Sequence, residues 1–261
     1  MDVPRVTAAG ERVGVGVGVG VGPWPGGEPA WPEDPRYDHE LLAHGDRRNV
    51  VDRYRYWTIE AIVADIDTRR HPLHVAIENF SHDMNIGSVV RTANAFAVAE
   101  VHIVGRRRWN RRGAMVSDRY QHLRHHDDVA DLLAWARAAG LPVLGIDNVP
   151  GSVPIEGHAL PAECVMVFGQ ESAGLSGAAL DGCDEVLHIT QYGSTRSINV
   201  GAAAAVAMHA WMGQHAAPAP DGGAQPAPAS RAQTDAPCQS MATTGSSPTT
   251  QASWPGGRDV T

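Results

Sequence analysis

Residues 164–176 have the sequence CVMVFGQESAGLS, in which a short apolar run ends at Phe168 and a glycine-rich turn follows. Such a run, bounded by a turn, indicates a buried β-strand, because a strand covered on both faces loses the alternation of polar and apolar side chains. Glycines after the strand allow a ligand close to the backbone. This stretch therefore predicts a parallel sheet with a binding site where its strands end.

The surrounding sequence repeats this alternation of short apolar strands and longer helical patterns. Strands are predicted at residues 73–77, 101–104, 142–147, 164–168 and 185–189, and helices at 50–66, 86–96, 127–139, 172–182 and 198–213. Strands separated by helices are typical of an α/β fold in which helices cover both faces of a parallel sheet. We expect one such domain at residues 73–215, preceded by a helical extension at 37–72.

The two ends of the chain differ in composition from this central region. Residues 1–36 contain an alternating Gly-Val run followed by several prolines, and residues 216–261 are dominated by Pro, Ala, Ser, Thr and Gly. Segments of this kind bury too little apolar surface to offset the entropy of ordering. Both are predicted to be unfolded tails.

Composition excludes several classes of function. The chain has 261 residues and a formal charge of −8, and all 21 of its positive side chains are arginine. Without lysine it has neither a P-loop lysine nor a Schiff-base lysine. The three cysteines form no C-x-x-C pair, and we see neither a signal peptide nor an apolar stretch long enough for a bilayer. We expect a cytoplasmic protein without a membrane or DNA partner.

Three glycine-containing segments fall where predicted strands end and helices begin. In the first, Asn85, Ser88 and Arg91 share a helix face, which on its own indicates an N-cap followed by a solvated arginine. In the second, Leu175 stands where a P-loop would have its lysine, so an NTPase is rejected. In the third, Asn199 is a helix-start residue ahead of an alanine-rich helix.

Taken together, these segments resemble the signature motifs of the SpoU/TrmH-type RNA ribose 2′-O-methyltransferases of the SPOUT class. They are N-x-G-x-x-x-R at residues 85–91, F-G-x-E-x-x-G-L-S at 168–176 and I-x-x-x-G-x-x-x-S-I-N-V at 189–200. The resemblance covers about residues 73–213. It implies a C-terminal trefoil knot, S-adenosylmethionine as cofactor, a homodimer, and methylation of structured RNA, with tRNA favoured over rRNA.

The resemblance also carries roles to individual positions. Arg91 matches the family's catalytic arginine, and Asn85, Glu171 and Asn199 match its other polar motif positions. Thr190 departs from the pattern, because the family usually has a proline after the isoleucine of the third motif, and this places the stiffness of the loop in question. The implied cofactor pocket is formed by Ile146, Gly169, Ile189, Ser197 and Ile198.

A basic segment follows the first motif and its strand. Trp109 and Tyr120 are interleaved there with arginines, and Asp118 is the single acid. A charge run is often only a solvated loop, but arginines with aromatic residues also suit phosphate pairing and base stacking on RNA. We expect RNA contact from Arg106, Arg107, Arg108, Arg111, Arg112, Arg119 and Arg124.

Three other interpretations have weaker support in the sequence. His122, His125 and His126, with His102 nearby, fit no firm ligand spacing, so no metal site is expected. A dehydrogenase would need G-x-G-x-x-G after the first strand, where a lone glycine stands. A catalytically silent knotted RNA-binding module stays open, although such a protein has no need of all the polar motif residues.

Overall fold

The computed structural model describes residues 20–80, 85–170 and 173–217. Seven strands form one sheet, and every pair of neighbouring strands is parallel. They are β1 (His71–Asn79), β2 (Val98–Gly105), β3 (Leu123–His126), β4 (Val143–Ile146), β5 (Val153–Pro154), β6 (Cys164–Phe168) and β7 (Glu185–His188). Their order in space is β3-β2-β1-β6-β4-β7-β5.

Six α-helices accompany the sheet in the described part of the chain. They are α1 (His39–His44), α2 (Ile59–Asp67), α3 (Ile86–Ala95), α4 (Val129–Ala139), α5 (Gly177–Gly182) and α6 (Val200–His215). None of these helices combines the length and the apolar character that crossing a bilayer demands.

Two separate apolar clusters show that helices cover both faces of the sheet. Side chains alternate between the faces of a strand, so Leu73, Val75 and Ile77 of β1 pack with α3 and α6, whereas Ala76 packs with α4 and α5 on the other side. Trp211 of α6 is the largest of the fully buried side chains among the described residues. The predicted α/β class, with a parallel sheet between two helical layers, is confirmed.

Most predicted elements are found within a few residues of their expected bounds. Strand 164–168 is reproduced, and the helix expected at 127–139 ends before Gly140, whose φ of 71° is the left-handed conformation of a helix stop. Two edge strands were not predicted. β3 contains one arginine and two histidines, and β5 has two residues, so neither has an apolar pattern.

The helix predicted at residues 50–66 is wrong in its first half. Tyr56 has a φ of 63°, which breaks any helix, and α2 begins only after Thr58, whose hydroxyl accepts a hydrogen bond from the N–H of Ala61. The apolar residues that suggested a helix instead pack as a small cluster. Tyr54 and Ile62 in it lie against Tyr120 of the central domain.

The predicted unfolded tail is also wrong for residues 20–36, which have defined structure. Val21 and Asp46 exchange two backbone hydrogen bonds of 2.9 Å, and the Tyr56 hydroxyl donates to the carbonyl of Gly22. The ring of Trp24 packs edge-on against Tyr56 with centroids 5.3 Å apart. Packing of aromatic side chains thus orders a stretch whose composition suggested no ordered structure. Residues 1–19 and 218–261, the remainder of the predicted tails, lie outside the described residues.

Candidate functional site

A cavity of about 340 Å³ opens where β4 and β6 end. Its walls come from Ile146 at the end of β4, from Phe168 at the end of β6, and from the segment between β7 and α6. Sites in parallel sheets form at such carboxyl edges, because the loops there diverge. All five residues predicted to form the cofactor pocket lie in this wall: Ile146, Gly169, Ile189, Ser197 and Ile198.

The glycine turn after β6 forms one wall as nearly bare backbone. A Cβ atom on Gly169 would lie 2.0 Å from the carbonyl carbon of Gly174, so no side chain fits. Gly174 has a φ of 68°, and a Cβ there would meet Asp147 Oδ2 at 2.4 Å. That oxygen instead accepts a 2.8 Å hydrogen bond from the N–H of Leu175. The hydrogen bond to Asp147 therefore stabilises the turn, whose conformation requires glycine at positions 169 and 174.

Glu171, which matches the polar position of this motif, lies outside the described residues. A different carboxylate, Glu78 near the end of β1, is fully buried beside the turn. It accepts hydrogen bonds from the Ser176 hydroxyl at 2.6 Å and from the Ser176 N–H at 2.8 Å. Sequence reasoning missed Glu78, although an acid directly after the apolar run at 73–77 was a signal, because a buried charge must be paired.

The first and third motifs meet through two asparagines. Asn199 Nδ2 donates to Asn85 Oδ1 at 3.0 Å, while Asn199 Oδ1 accepts from the N–H of Gly201 and so caps α6. Asn85 occupies the N-cap position of α3, yet its side chain makes no capping hydrogen bond. The predicted helix-start role of Asn199 is confirmed. The side chain of Asn85, in contrast, joins the two helix starts.

Arg91 lies on the exposed side of α3, about one and two-thirds turns beyond Asn85. Nearby, α6 passes so close that a Cβ on Gly201 would be 3.2 Å from the Cβ of Ser88. Among the described residues, no carboxylate or carbonyl group pairs with Arg91. Its guanidinium is thus available to an anion that reaches the edge where α3 and α6 meet.

The basic segment between β2 and β3 packs directly on the start of α3. A Cβ on Gly87 would lie 2.7 Å from the backbone of Gly113, so the two chains touch backbone to backbone. Asn79 at the end of β1 donates its amide to the carbonyls of Arg106 and Arg108, at 2.5 and 3.1 Å. The segment is therefore fixed beside the first motif.

The arginines predicted to bind RNA are not all equivalent. All seven have exposed side chains, and six of them lie on the segment between β2 and β3: Arg106, Arg107, Arg108, Arg111, Arg112 and Arg119. Among these, Arg111 pairs with Asp118 at 3.1 Å and lies over the ring of Trp109. The seventh, Arg124 on β3, is held by Glu100 at 2.9 Å and by the Trp135 ring, toward the opposite end of β2. Arg111 and Arg124 therefore each already have an acidic and an aromatic partner.

Thr190, which replaces the family's usual proline, is tied to Glu156. Its N–H donates to Glu156 Oε1 at 3.0 Å, and its hydroxyl donates to Oε2 at 2.9 Å. Burial acts to raise the pKa of Glu156, but hydrogen bonds from its own backbone N–H and from Thr190 outweigh this, and the pKa is lowered. A proline could make neither contact. The loop is held here by hydrogen bonds instead of by a ring.

Histidines form a buried chain across three strands. His102 hydrogen-bonds His74 at 3.1 Å on one side and His126 at 3.0 Å on the other, and Glu100 lies 3.8 Å away. Burial, helped by the charges of the neighbouring histidines and Arg124, lowers the pKa of His102 to about 2. The three histidines hydrogen-bond one another as neutral rings, and Glu100 pairs with Arg124. Each of these side chains therefore already has a partner.

Comparison with known proteins gives a family match over this domain. The profile of the SpoU rRNA Methylase family matches residues 72–209, which is more than half of the chain. The chain is 31% identical over 188 residues to an uncharacterised tRNA/rRNA methyltransferase of Mycolicibacterium vanbaalenii, covering 67% of this chain and 59% of that one. It is 27% identical over 153 residues to the tRNA (guanosine(18)-2′-O)-methyltransferase of Escherichia coli, covering 57% and 67%.

Solved structures show a similar fold. The TrmH/SpoU tRNA modifying enzyme of A. aeolicus superposes with a TM-score of 0.54 at 21% identity, over 60% of this chain and 81% of that one. The SpoU methyltransferase AviRb of Streptomyces viridochromogenes, solved in complex with AdoMet, gives 0.50 at 23% identity, over 56% and 59%.

Proposed function

Because the chain belongs to the SpoU rRNA Methylase family, we propose that it uses S-adenosylmethionine to methylate a ribose 2′-hydroxyl of structured RNA. The observation that carries this proposal is the convergence of motif residues at one edge of the sheet. Four predicted residues of the second and third motifs line a single cavity together with Ile146, and the Asn199–Asn85 hydrogen bond joins that wall to the helix bearing Arg91. A metal is not part of the proposal.

The residues present fit S-adenosylmethionine. The cavity volume lies in the range of about 300–1,000 Å³ that is usual for small-molecule sites. Ile146, Ile189 and Ile198 provide apolar walls for an adenine ring, and the bare backbone at Gly169 and Gly174 can approach polar groups. When bound, the cofactor supplies a methyl group on a sulfonium. Glu171, which lies outside the described residues, is included in this proposal as one of the polar residues of the catalytic site.

Arg91 acts on the RNA and not as a base. A guanidinium is effectively never deprotonated in a protein, so it cannot accept the proton of the ribose hydroxyl. It can clamp the neighbouring phosphate and stabilise negative charge on the reacting oxygen, with phosphate or water taking the proton. Asn85 and Asn199 hold the start of α3 against the start of α6, and so fix where Arg91 stands relative to the cavity.

The seven exposed arginines provide the RNA-binding surface in this proposal, and Arg111 and Arg124 are the weaker candidates because each is already paired with an acid, Asp118 and Glu100 respectively. We favour tRNA over rRNA as the substrate. The supporting fact is similarity to an Escherichia coli enzyme named for tRNA. A cytoplasmic location belongs to the same proposal.

The proposal includes a homodimer and a C-terminal trefoil knot. From Val200 to Met208 helix α6 carries only apolar side chains and one glycine, yet Val206 is 43% exposed. A helix of this kind is normally covered on all sides, so a second copy would bury its free side. The knot rests on the family resemblance, and the strand order is compatible with it, since β6 lies between β1 and β4. Light scattering at several concentrations tests the dimer.

The test of the function incubates the purified chain with labelled S-adenosylmethionine and unmodified tRNA or rRNA, then identifies the modified nucleoside by mass spectrometry. We expect a ribose-methylated nucleoside from one RNA pool, absent with Arg91→Ala. Cofactor binding without transfer to either RNA would contradict the assigned substrates. Absence of cofactor binding would favour the alternative, a catalytically silent RNA-binding module.

A further inference from the structure

The basic segment carries two exposed apolar side chains at its tip, which comprises residues 111–119. Met115 is 43% exposed and Val116 is 47% exposed. Every other exposed residue of the tip is an arginine. The acid of this stretch, Asp118, has only 8% of its side chain exposed and pairs with Arg111. The tip therefore presents positive charge and apolar surface together.

The backbone at this tip is strained. Met115 has a φ of 48° and Val116 a φ of 71°, and both values lie in the left-handed region that residues with a Cβ atom rarely adopt. Among the described residues, Val116 is the only β-branched one with a positive φ, and glycine holds most of the other such positions. Strain of this kind persists only where the surrounding structure imposes it, and it is concentrated at functional sites.

The surrounding structure holds this conformation. The Ser117 hydroxyl donates to the carbonyl of Ala114 at 2.5 Å, so a hydrogen bond joins the residues on either side of the exposed pair. Ala114 is fully buried against the start of α3, where a Cβ on Gly87 would meet its backbone nitrogen at 2.7 Å. Arg91 follows Gly87 by about 6 Å along the helix axis. The tip is therefore anchored beside the helix that bears Arg91.

The aromatic residues expected to stack on RNA bases are not free for that contact. Tyr120 is only 5% exposed, because it packs in the small apolar cluster with the N-terminal extension. Trp109 packs partly against the core, and the guanidinium of Arg111 lies over its ring, 5.5 Å from the centroid. The exposed apolar side chains among the arginines are instead Met115 and Val116.

The chemistry of the tip fits an unstacked nucleobase between its phosphates. The faces of a base are apolar, and methionine makes favourable contacts with aromatic rings through its polarisable sulfur. Apolar side chains such as methionine also act as wedges between bases in nucleic-acid complexes. Arg112 and Arg119 lie on the two sides of the exposed pair and can bind phosphates. RNA supplies the matching negative charge at every nucleotide.

We propose that Met115 and Val116 contact an unstacked base of the RNA substrate, while Arg112 and Arg119 bind the phosphates on its two sides. This inference rests on the proposed function and specifies how the RNA is held beside Arg91. Van der Waals contact with the face of a base reads no hydrogen-bonding edge. The contact therefore accepts any base and favours unpaired nucleotides over paired ones.

The test uses Met115→Gln and Val116→Asn in the full chain. Glutamine keeps the length of methionine, and asparagine tolerates the left-handed conformation, so both variants remove apolar surface and keep the backbone. Val153→Asn is the matched control, because Val153 is a similarly exposed valine on β5, at the opposite edge of the sheet from β3. Filter retention over a range of salt concentrations measures binding of tRNA, rRNA and a fully paired RNA duplex.

We expect each tip variant to bind tRNA or rRNA about three- to tenfold more weakly, with Val153→Asn unchanged. The slope of log affinity against log salt should equal that of the wild type, because no phosphate contact is lost. Arg112→Gln should instead lower both the affinity and the slope. Affinity for the duplex, cofactor affinity and the oligomeric state should not change. Val116→Asn should also raise the unfolding midpoint, because it relieves the strained valine.

Unchanged affinity for both RNAs in both tip variants, or an equal loss on the paired duplex, would overturn the proposal. A changed oligomeric state in light scattering would assign the tip to an interface between copies of this chain instead. A wild-type chain that shows the expected binding pattern but transfers no methyl group would refute only the proposed function. Methyl transfer by the wild type, with tip variants that bind RNA equally well, would refute only this inference. A wild-type chain that binds neither RNA would refute both.

Discussion

The contact between Thr190 and Glu156 gives a prediction whose size can be worked from the structure. Thr190→Val keeps the N–H and the shape of the side chain but removes the hydroxyl that donates to Glu156 Oε2 at 2.9 Å. Hydrogen bonds to charged groups are worth about 1.5–3 kcal/mol, but Glu156 is exposed and water can replace the lost donor, so we expect about 0.5–1 kcal/mol.

Thr190→Pro restores the residue usual in the family and removes both hydrogen bonds. The loss of about 1–2 kcal/mol is partly offset by about 0.4–1 kcal/mol, because proline lowers the entropy of the unfolded chain. We therefore expect a net loss of about 0.5–1 kcal/mol. Proline, although it is the family's usual residue at this position, should therefore destabilise this chain.

Urea unfolding of a double-mutant cycle with Glu156→Ala measures the contact directly. In the Glu156→Ala background, Thr190→Val should have almost no effect, which gives a coupling energy of about 0.5–1 kcal/mol. Because folding lowers the pKa of Glu156, its contribution is complete above its ordinary value of 4.5 and is lost as the pH falls through the lower folded value. A coupling energy of zero at neutral pH, or a Thr190→Pro variant more stable than wild type, would refute the reasoning.

Three other outcomes follow from the geometry. Gly169→Ala places a Cβ 2.0 Å from Gly174, so it should abolish cofactor binding measured calorimetrically and lower the unfolding midpoint; retained binding would show that the turn can shift. Arg91→Lys should reduce kcat at least tenfold with unchanged cofactor affinity, since an ammonium lacks the bidentate fork; full turnover would exclude that geometry as the reason for arginine. Because folding lowers the pKa of His102 to about 2, the free energy of unfolding should fall as the pH drops below 6.5, by up to about 1.4 kcal/mol per pH unit for this group. His102→Gln should reduce this pH dependence; an unchanged dependence would mean that other groups take up the proton.

Sequence reasoning predicted the parts of the fold in which local pattern and tertiary environment agree. The strand at 164–168 is apolar because both of its faces are covered, and the stop at Gly140 depends on one residue's own backbone freedom. It failed where distant contacts decide the conformation. The turn at Tyr56 is held by Asp46, which accepts a hydrogen bond from its N–H at 3.0 Å, and β3 is a strand only because β2 lies beside it.

The candidate site shows the same division. The motif residues were found because glycine turns and helix starts have local signatures, and the structure places Gly169, Ile189, Ser197 and Ile198 in the wall of one cavity. The partners of those residues were not found. Glu78 is 98 residues from Ser176, and Glu156 is 34 residues from Thr190, so no local pattern links them. The hydrogen bond between Asn85 and Asn199 joins positions 114 residues apart.

The backbone contact between Gly87 and Gly113 has a thermodynamic consequence for binding. A side chain at Gly87 would collide with the backbone of Gly113, and one at Gly113 would be tightly crowded, so the basic segment and the start of α3 are held together when the chain folds. The conformational freedom that a loose loop would surrender on meeting a polyanion has already been removed at this contact. A preorganised surface retains more of its gross interaction energy as affinity. An anion bound to these arginines is also held at a fixed distance from Arg91, and the protein between them does not need to rearrange.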